Sequence, residues 1–249
     1  MNIIVLIAGV HDPKWPVTCA DNQLPTPQDD RQIMSPFDEA ALEIALRIRD
    51  KSPGTAIKVL VAGGAAGSRI ARTVAAFNIA NVTTIAIGTA WDQAAVARAL
   101  AGLCAGSELI LIGRDFGDYD DGLVPPMLAA LLGADFFGRA QAVDASAVPI
   151  LIREVDGFEE RLLVASRTVA SVTNDRRTRL RKPLMKNVMQ ARQAQIGTVE
   201  APAEPTPGLE LVSVTERATS RRVTTCRMIQ GTVAEQAEAL AALLLEASA

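Results

Sequence analysis

The chain has 249 residues, 49% hydrophobic and 21% charged, enough to bury one large core and at odds with wholesale disorder. With 25 Lys and Arg against 28 Asp and Glu the net charge is -3 and the pI about 5.3, which excludes a general nucleic-acid binder; aromatics at 4% exclude stacking platforms for single strands. Cys19, Cys104 and Cys226 lie far apart with no CxxC pair, the pattern of reduced thiols and not of a disulfide framework or a zinc site.

The first element is an apolar strand, Ile3 to Ile7. It has no basic leader before it, and no apolar run in the chain is long enough to span a bilayer, so the sequence reads as soluble, cytoplasmic and without membrane insertion. From Asp38 to Arg49, Ala41, Leu42, Ala45 and Ile48 fall on one helical face. Then come a β-branched strand at Ile57–Ala62, a helix from about Ser68 to Asn78, a strand at Val82–Ile87, a helix at Asp92–Leu103, a strand at Leu109–Ile112 and a helix at Pro126–Leu132. Strand and helix in alternation predict a doubly wound α/β fold: a mostly parallel, Rossmann-like sheet with helices on both faces. The unbroken apolar strands agree, because such strands are covered on both sides.

After Gly133 the pattern changes. Arg139–Val143, Pro149–Val155, Glu160–Ala165 and Thr168–Thr173 read as short antiparallel strands, with Asp156-Gly157 as a hairpin turn. Residues 174–192 form a basic loop: between Arg176 and Arg192 it holds Arg176, Arg177, Arg179, Arg181, Lys182, Lys186 and Arg192 and no acidic residue, with Leu184 and Met185 near the tip. Apolar side chains inside a charged rim suit docking on an acidic partner with an apolar socket; a solvated loop with two incidental hydrophobes is the competing reading. From about Ile196 to Gln230 the chain looks extended and loosely packed, with Pro202, Pro205 and Pro207. A last helix, Thr232 to about Glu246, has Thr232 as N-cap and Leu240, Leu243 and Leu244 as its apolar set. It either embraces a partner or packs back on its own domain. The division expected is a nucleotide-binding domain over 1–195, which includes the basic loop, and an arm with its helix over 196–249.

In such a sheet ligands sit beyond the carboxyl ends of the strands, where strand order reverses. Three segments end there: Ala8-Gly9-Val10-His11-Asp12 after the first strand, Ala62-Gly63-Gly64-Ala65-Ala66-Gly67-Ser68 after the second, and Gly113 through Gly122 after the fourth. Small residues let backbone N–H groups close on an anion, the carboxylates can accept from ribose hydroxyls or an adenine amino group, and Gly122 with the next helix start could meet phosphate. Each segment also has a plainer reading, as tight packing or, for Asp118, Asp120 and Asp121, as a magnesium site lacking a second carboxylate strand. His11, the only histidine, has no nucleophile in an elbow motif, and no nucleophile, base and oxyanion hole come together. The loops read as built for binding, in a carrier and not an enzyme.

These pieces in order resemble the β subunit of electron transfer flavoproteins. Six segments carry the resemblance: Ala8 to Asp12; Met34-Ser35-Pro36-Phe37-Asp38-Glu39, against Met-Asn-Pro-Phe-Asp-Glu; Gly113 to Asp120, against Gly-Lys/Arg-Gln-Ala-x-Asp-x-Asp; Met127 to Gly133; Arg153 to Glu160; and Arg181 with Met185, Lys186, Asn187, Val188 and Met189. The resemblance implies a heterodimer with an α subunit that holds most of an FAD. It implies a second site that takes AMP, or a second FAD in electron-bifurcating members. The cofactor-binding residues it points to are Leu6, Ala8, Gly9, Ser35, Pro36, Phe37, Asp38, Ala62, Gly63, Gly113, Arg114, Asp118, Asp120, Gly122, Leu123 and Val124; no metal is implied. It makes the basic loop the recognition element for a flavin dehydrogenase, through Arg181, Leu184, Met185, Lys186, Asn187 and Met189, with a quinone oxidoreductase or similar as acceptor.

The departures are specific. The family's Lys-Arg after the first strand is Ala8-Gly9, and its Asn before Pro-Phe is Ser35. The Asn-Gln-Thr of AMP-binding members is Gly122-Leu123-Val124, which leaves only backbone donors, each worth about 1 kcal/mol net. The bifurcating group's Gln-Val-Gly-Pro is Leu123-Val124-Pro125-Pro126. The chain reads as a divergent member fitting neither subgroup. Two further readings use the same sheet. The 62–68 turn is similar to the loop of ATP-pyrophosphatases, without its first serine and aspartate, and a stand-alone nucleotide sensor would need neither the basic loop nor the arm.

Overall fold

Along the first strand two sets of side chains alternate: Ile3, Val5 and Ile7 enter one core, Ile4, Leu6 and Ala8 another. All are at most 5% exposed, so this strand lies mid-sheet with a layer of helices on each side. The computed structural model describes residues 1–17, 31–87, 91–201, 209–215, 226 and 228–247; Cys19 lies outside them.

The elements are β1 (Asn2–His11), β2 (Gln32–Met34), α1 (Pro36–Lys51), β3 (Ala56–Ala62), α2 (Ser68–Ala75), β4 (Asn81–Ala86), α3 (Gln93–Leu103), β5 (Leu109–Gly113), α4 (Val124–Leu132), β6 (Asp135–Ala140), β7 (Ala142–Asp144), β8 (Ile150–Val155), β9 (Phe158–Leu163), β10 (Thr168–Val172), α5 (Met185–Arg192), β11 (Gly197–Glu200) and α6 (Val233–Ala247). The main sheet runs β11-β4-β3-β1-β5-β10-β6, every pair parallel, and β2 adds antiparallel to the end of β1. Residues of α1 and α2 pack on the face bearing Ile3, Val5 and Ile7, those of α3 and α4 on the other. The mostly parallel, doubly wound α/β fold is as expected.

The expectation of four antiparallel strands after Gly133 is corrected. Only β7, β8 and β9 form an antiparallel sheet, with Asp156 and Gly157 at positive φ (51° and 81°) in the β8–β9 turn. β6 and β10 instead extend the parallel sheet. The cause is burial: all five residues of β10 are buried, as in a strand covered on both faces, whereas β9 is mostly exposed. Residues 197–200, expected to be loosely packed, pair with β4 as an edge strand, Thr198 opposite Thr84, the two hydroxyls 2.8 Å apart.

The basic stretch expected as a loop holds a single 3-10 turn at Arg176–Thr178 and then α5. Leu184 is extended (φ -66°, ψ 139°) at the helix entry, and Met, Lys, Gln and Ala then favour helix.

Two compact units divide the described chain, Met1–Val214 and Thr215–Ala249. In the second, Thr232 and Glu235 cap α6 reciprocally: Glu235 Oε2 accepts from the Thr232 N–H at 2.7 Å, and Thr232 Oγ1 accepts from the Glu235 N–H at 3.4 Å. Leu240, Leu243, Leu244 and Leu245 on this helix are all exposed. Among the described residues no helix is long and apolar enough to cross a membrane.

Candidate functional site

From β1 the chain proceeds outward on one side to β3 and β4, then returns through α3 to β5 on the other. Strand order thus reverses between β1 and β5, where a crevice opens beyond the strand ends. β2 runs back along β1, pairing Gly9 with Met34 and His11 with Gln32, and delivers Ser35 as the N-cap of α1. Ser35 Oγ accepts from the Asp38 N–H at 3.0 Å and the Asp38 carboxyl accepts from the Ser35 N–H at 3.4 Å, while Pro36 begins the helix.

Asp38 is fully buried, and its Oδ1 has no hydrogen-bond partner among the described residues. Burial pushes its pKa up to about 8, against the opposing pull of hydrogen bonds from Ser35 and the backbone of Ala8. The carboxyl fits because residue 113 has no side chain: a Cβ there would lie 2.9 Å from Asp38 Oδ1 and 3.2 Å from Phe37 Cβ. Over the outer side of Phe37 lies the Arg114 guanidinium, 4.4 Å from the ring centre and paired with Asp115 at 2.7 Å.

The loop after β5 is closed by one carboxylate. Asp120, 8% exposed, accepts at Oδ2 from the Phe116 N–H (2.8 Å) and at Oδ1 from the N–H groups of Gly122 (3.0 Å), Leu123 (2.8 Å) and Val124 (3.1 Å). It is therefore the cap of α4. Asp118 is exposed and accepts from the His11 N–H at 3.0 Å, tying the loop to β1. Gln93 Nε2 donates to the Tyr119 carbonyl at 2.6 Å, fixing the loop to α3.

Between these loops lies a cavity of about 530 Å³. Of the residues singled out in the sequence, Ala8, Gly9, Ala62, Gly63, Asp118, Asp120 and Val124 line it. Others do not. Leu6 is buried within β1; Ser35, Pro36, Phe37 and Asp38 form the start of α1; Gly113 holds that turn against β5. Arg114 and Gly122 border a second concavity together with Phe136, Arg139 and Ser171, and Leu123 is half exposed.

The sequence reading missed Ala86 and Ile87 at the end of β4, Val96 on α3, and the rim residues Gln32 and Glu200. The strand-end rule, applied to β4 as it was to β3, would have found the first two. Gln32 and Glu200 arrive through β2 and β11, whose pairings no local pattern signals. The cavity walls are mainly small apolar groups, and its charged lining, among the described residues, is Asp118, Asp120 and Glu200. This suits a flat uncharged ring beside hydroxyl or amino donors; the amides at the entry to α4 are already bonded to Asp120, whereas the start of α2 beside Gly63, Gly64 and Ala66 has no side-chain cap.

In the basic segment, the docking candidates divide. Leu184, Met185 and Met189 are 72%, 73% and 63% exposed, Met185 and Met189 one helical turn apart. Lys186 is exposed and Asn187 half buried. Arg181 is instead bound to Glu43 and Asp50.

A family model described as the electron transfer flavoprotein domain matches residues 26–204. The electron transfer flavoprotein subunit beta of Bradyrhizobium diazoefficiens is 30% identical over 202 residues, covering 76% of this chain and 78% of that protein. Its namesake in Syntrophomonas wolfei is 29% identical over 174 residues, 69% of each chain. The probable electron transfer flavoprotein subunit beta of Schizosaccharomyces pombe is 31% identical over 176 residues, 67% of this chain and 68% of its own.

Proposed function

Because this chain belongs to the electron transfer flavoprotein family, we propose that it is the β-type half of a heterodimer that carries electrons from a flavin dehydrogenase to a downstream oxidoreductase, a quinone oxidoreductase or similar. The observation that carries the reading is the family match across residues 26–204, which takes in the strand-end cavity's lining apart from Ala8 and Gly9, and the whole basic segment. The α-type partner holds most of an FAD, which supplies the redox chemistry; this chain shapes one side of its surroundings with the first turn of α1, Ser35 to Asp38, and with Arg114. The strand-end cavity is an adenine site, lined by Ala8, Gly9, Ala62, Gly63 and Asp118. The chain works as a carrier in the cytoplasm.

Docking falls to Leu184, Met185 and Met189. Exposed apolar groups among Arg179, Lys182 and Lys186 suit a partner with an apolar socket and an acidic rim, the cations raising the encounter rate and the apolar contacts holding the complex.

Coexpression with an α-type subunit tests the proposal. A stable one-to-one complex with a flavin absorbance spectrum, reduced by a dehydrogenase and reoxidised by a separate acceptor, is the expected result. A chain that forms no complex and carries no flavin in any preparation would end it. Two FAD per heterodimer would mark the electron-bifurcating variant of the same function.

A further inference from the structure

Helix α5 carries the docking side chains but does little to hold itself in place. It has eight residues, no side chain caps its start, and Ala191 is its one buried residue. An isolated helix this short is unstable in water. Leu184, Met185 and Met189, being largely exposed, add little to its anchoring. What fixes the entry to the helix lies just before it.

Two residues there reach the body of the protein. Leu180 packs against the core, and Arg181 binds α1. Glu43 takes the Arg181 fork on both oxygens, Nε to Oε2 and Nη2 to Oε1, and accepts the Arg181 main-chain N–H as well. That last bond holds backbone, three residues ahead of Leu184. Asp50 takes Nη1, and Arg47 donates to Glu43 Oε1. The base is firm, since Leu42, Ile44, Ala45 and Leu46 beside Glu43 are 0% exposed. The Glu43 side chain is 4% exposed and the Arg181 side chain 39%. Glu43 is thus too enclosed to touch a docked partner, and Arg181 already has two carboxylates for its one charge. Lys182 and Lys186, exposed on either side of the tip, remain for steering.

We propose that Glu43 is a positioning residue for docking: through Arg181 it holds the start of α5, so that Leu184, Met185 and Met189 meet the dehydrogenase already arranged, and the Arg181 charge is spent on α1 and not on the partner. The inference rests on the docking reading above and deepens it by separating the side chains that touch the partner from those that aim them. Its physical basis is preorganisation, because a segment ordered before encounter does not pay that cost on binding.

The test uses the flavin-loaded heterodimer as electron acceptor for the dehydrogenase found to reduce it, well below the melting temperature of each variant. Arg181→Lys keeps the charge and loses the fork. It should raise the KM for the heterodimer about fivefold, with kcat, flavin content and the salt dependence of association unchanged. Glu43→Gln makes the segment more positive, so attraction to an acidic partner would by itself lower KM. Positioning requires the opposite, a KM raised about threefold. Met185→Ala tests the docking reading separately, because it removes a contact side chain and leaves the anchor intact. A raised KM in Met185→Ala with a parental KM in Arg181→Lys, or a lowered one in Glu43→Gln, overturns the inference and leaves docking at α5 standing. Parental KM values in all three variants overturn the docking surface and the inference together, and leave the carrier function intact.

Discussion

Arg181 wraps Glu43. The guanidinium donates from Nε to Oε2 at 3.0 Å and from Nη2 to Oε1 at 2.9 Å, the Arg181 main-chain N–H adds 3.2 Å to Oε2, and Nη1 reaches Asp50. Arg47 completes the set from α1, Nε to Oε1 at 2.9 Å. Glu43 is 4% exposed at its side chain, so its charge is compensated by these groups and hardly by water. One residue earlier, Leu180 packs against the core. The segment that leads into Leu184 and Met185 is thereby stapled to α1, about 7.5 Å along the helix axis from Asp38. One helix joins this segment to the Ser35–Asp38 turn.

Removing the arginine should cost more than removing the acid. Arg181→Met leaves the buried Glu43 carboxylate with Arg47 alone and is expected to lower stability by about 2 kcal/mol in urea unfolding, against about 1.5 kcal/mol for Glu43→Gln. Amide exchange in 184–192 should quicken in both. Burial raises the Glu43 pKa, but the hydrogen bonds from Arg181 and Arg47 outweigh it and hold the pKa below the usual glutamate value. Its stabilisation is therefore present above the unfolded-state pKa and is lost as pH falls through the lowered one. Glu43→Gln should flatten the acid limb of the stability curve, and an unchanged limb would show the pair contributes nothing.

Asp38 behaves in the opposite sense. With its pKa raised to about 8, the folded state keeps a proton that the unfolded state releases near pH 4. Its effect on stability is nil at low pH and increasingly unfavourable as pH rises to about 8, by on the order of 1 kcal/mol per pH unit. Asp38→Asn removes the ionisation while retaining a carbonyl for the Ser35 N–H. Thermal melts should show the variant equal to the parent near pH 4 and clearly more stable at pH 8. Equal melting temperatures across that range would mean that Oδ1 has found a partner.

The sequence made β1, α1, β3, β4, α3 and β5 legible because each is a long apolar run or a clear helical period, and caps such as Asp92 on α3 and Thr232 on α6 carry their own signature. It showed a strand at β10 but hid its place in the parallel sheet, since Thr168 to Val172 is as short as a hairpin strand and only its unalternating burial marks it as central. It hid β11, whose place depends on pairing with β4 more than 100 residues away. In the site, the small residues at the ends of β1 and β3 were readable from the strand-end rule. The role of Asp120 was not: the residue was found, but whether its oxygens face a ligand or the α4 amides is settled only by the loop's closure on Phe116 and Val124.

Leu184 and Met185 are more than two-thirds exposed, so little folding energy depends on them. Met185→Ala should leave stability within about 0.5 kcal/mol and flavin content unchanged, yet slow electron transfer from the dehydrogenase. Loss of flavin instead would show the segment to be structural. The steering charges are best tested at Arg179, because Arg181 is committed to Glu43. Arg179→Gln should lower the association rate and flatten its dependence on ionic strength, and an unaltered salt profile would contradict steering.

Cys104 and Cys226 should differ sharply in reactivity. Cys104 ends α3 at 0% exposure, and burial pushes its thiol up to about 12, with Lys58 and Arg167 pulling the other way. The thiolate is the reactive species, so at pH 8 its population is on the order of 1,000-fold below that of an ordinary thiol. Cys226 is exposed. Alkylation of the native protein at pH 8, mapped by peptide mass, should modify Cys226 within minutes and leave Cys104 untouched until urea unfolds the domain. Native labelling of Cys104 at a rate like that of Cys226 would mean that the end of α3 opens readily, and with it the wall of the cavity that Gln93 and Val96 build.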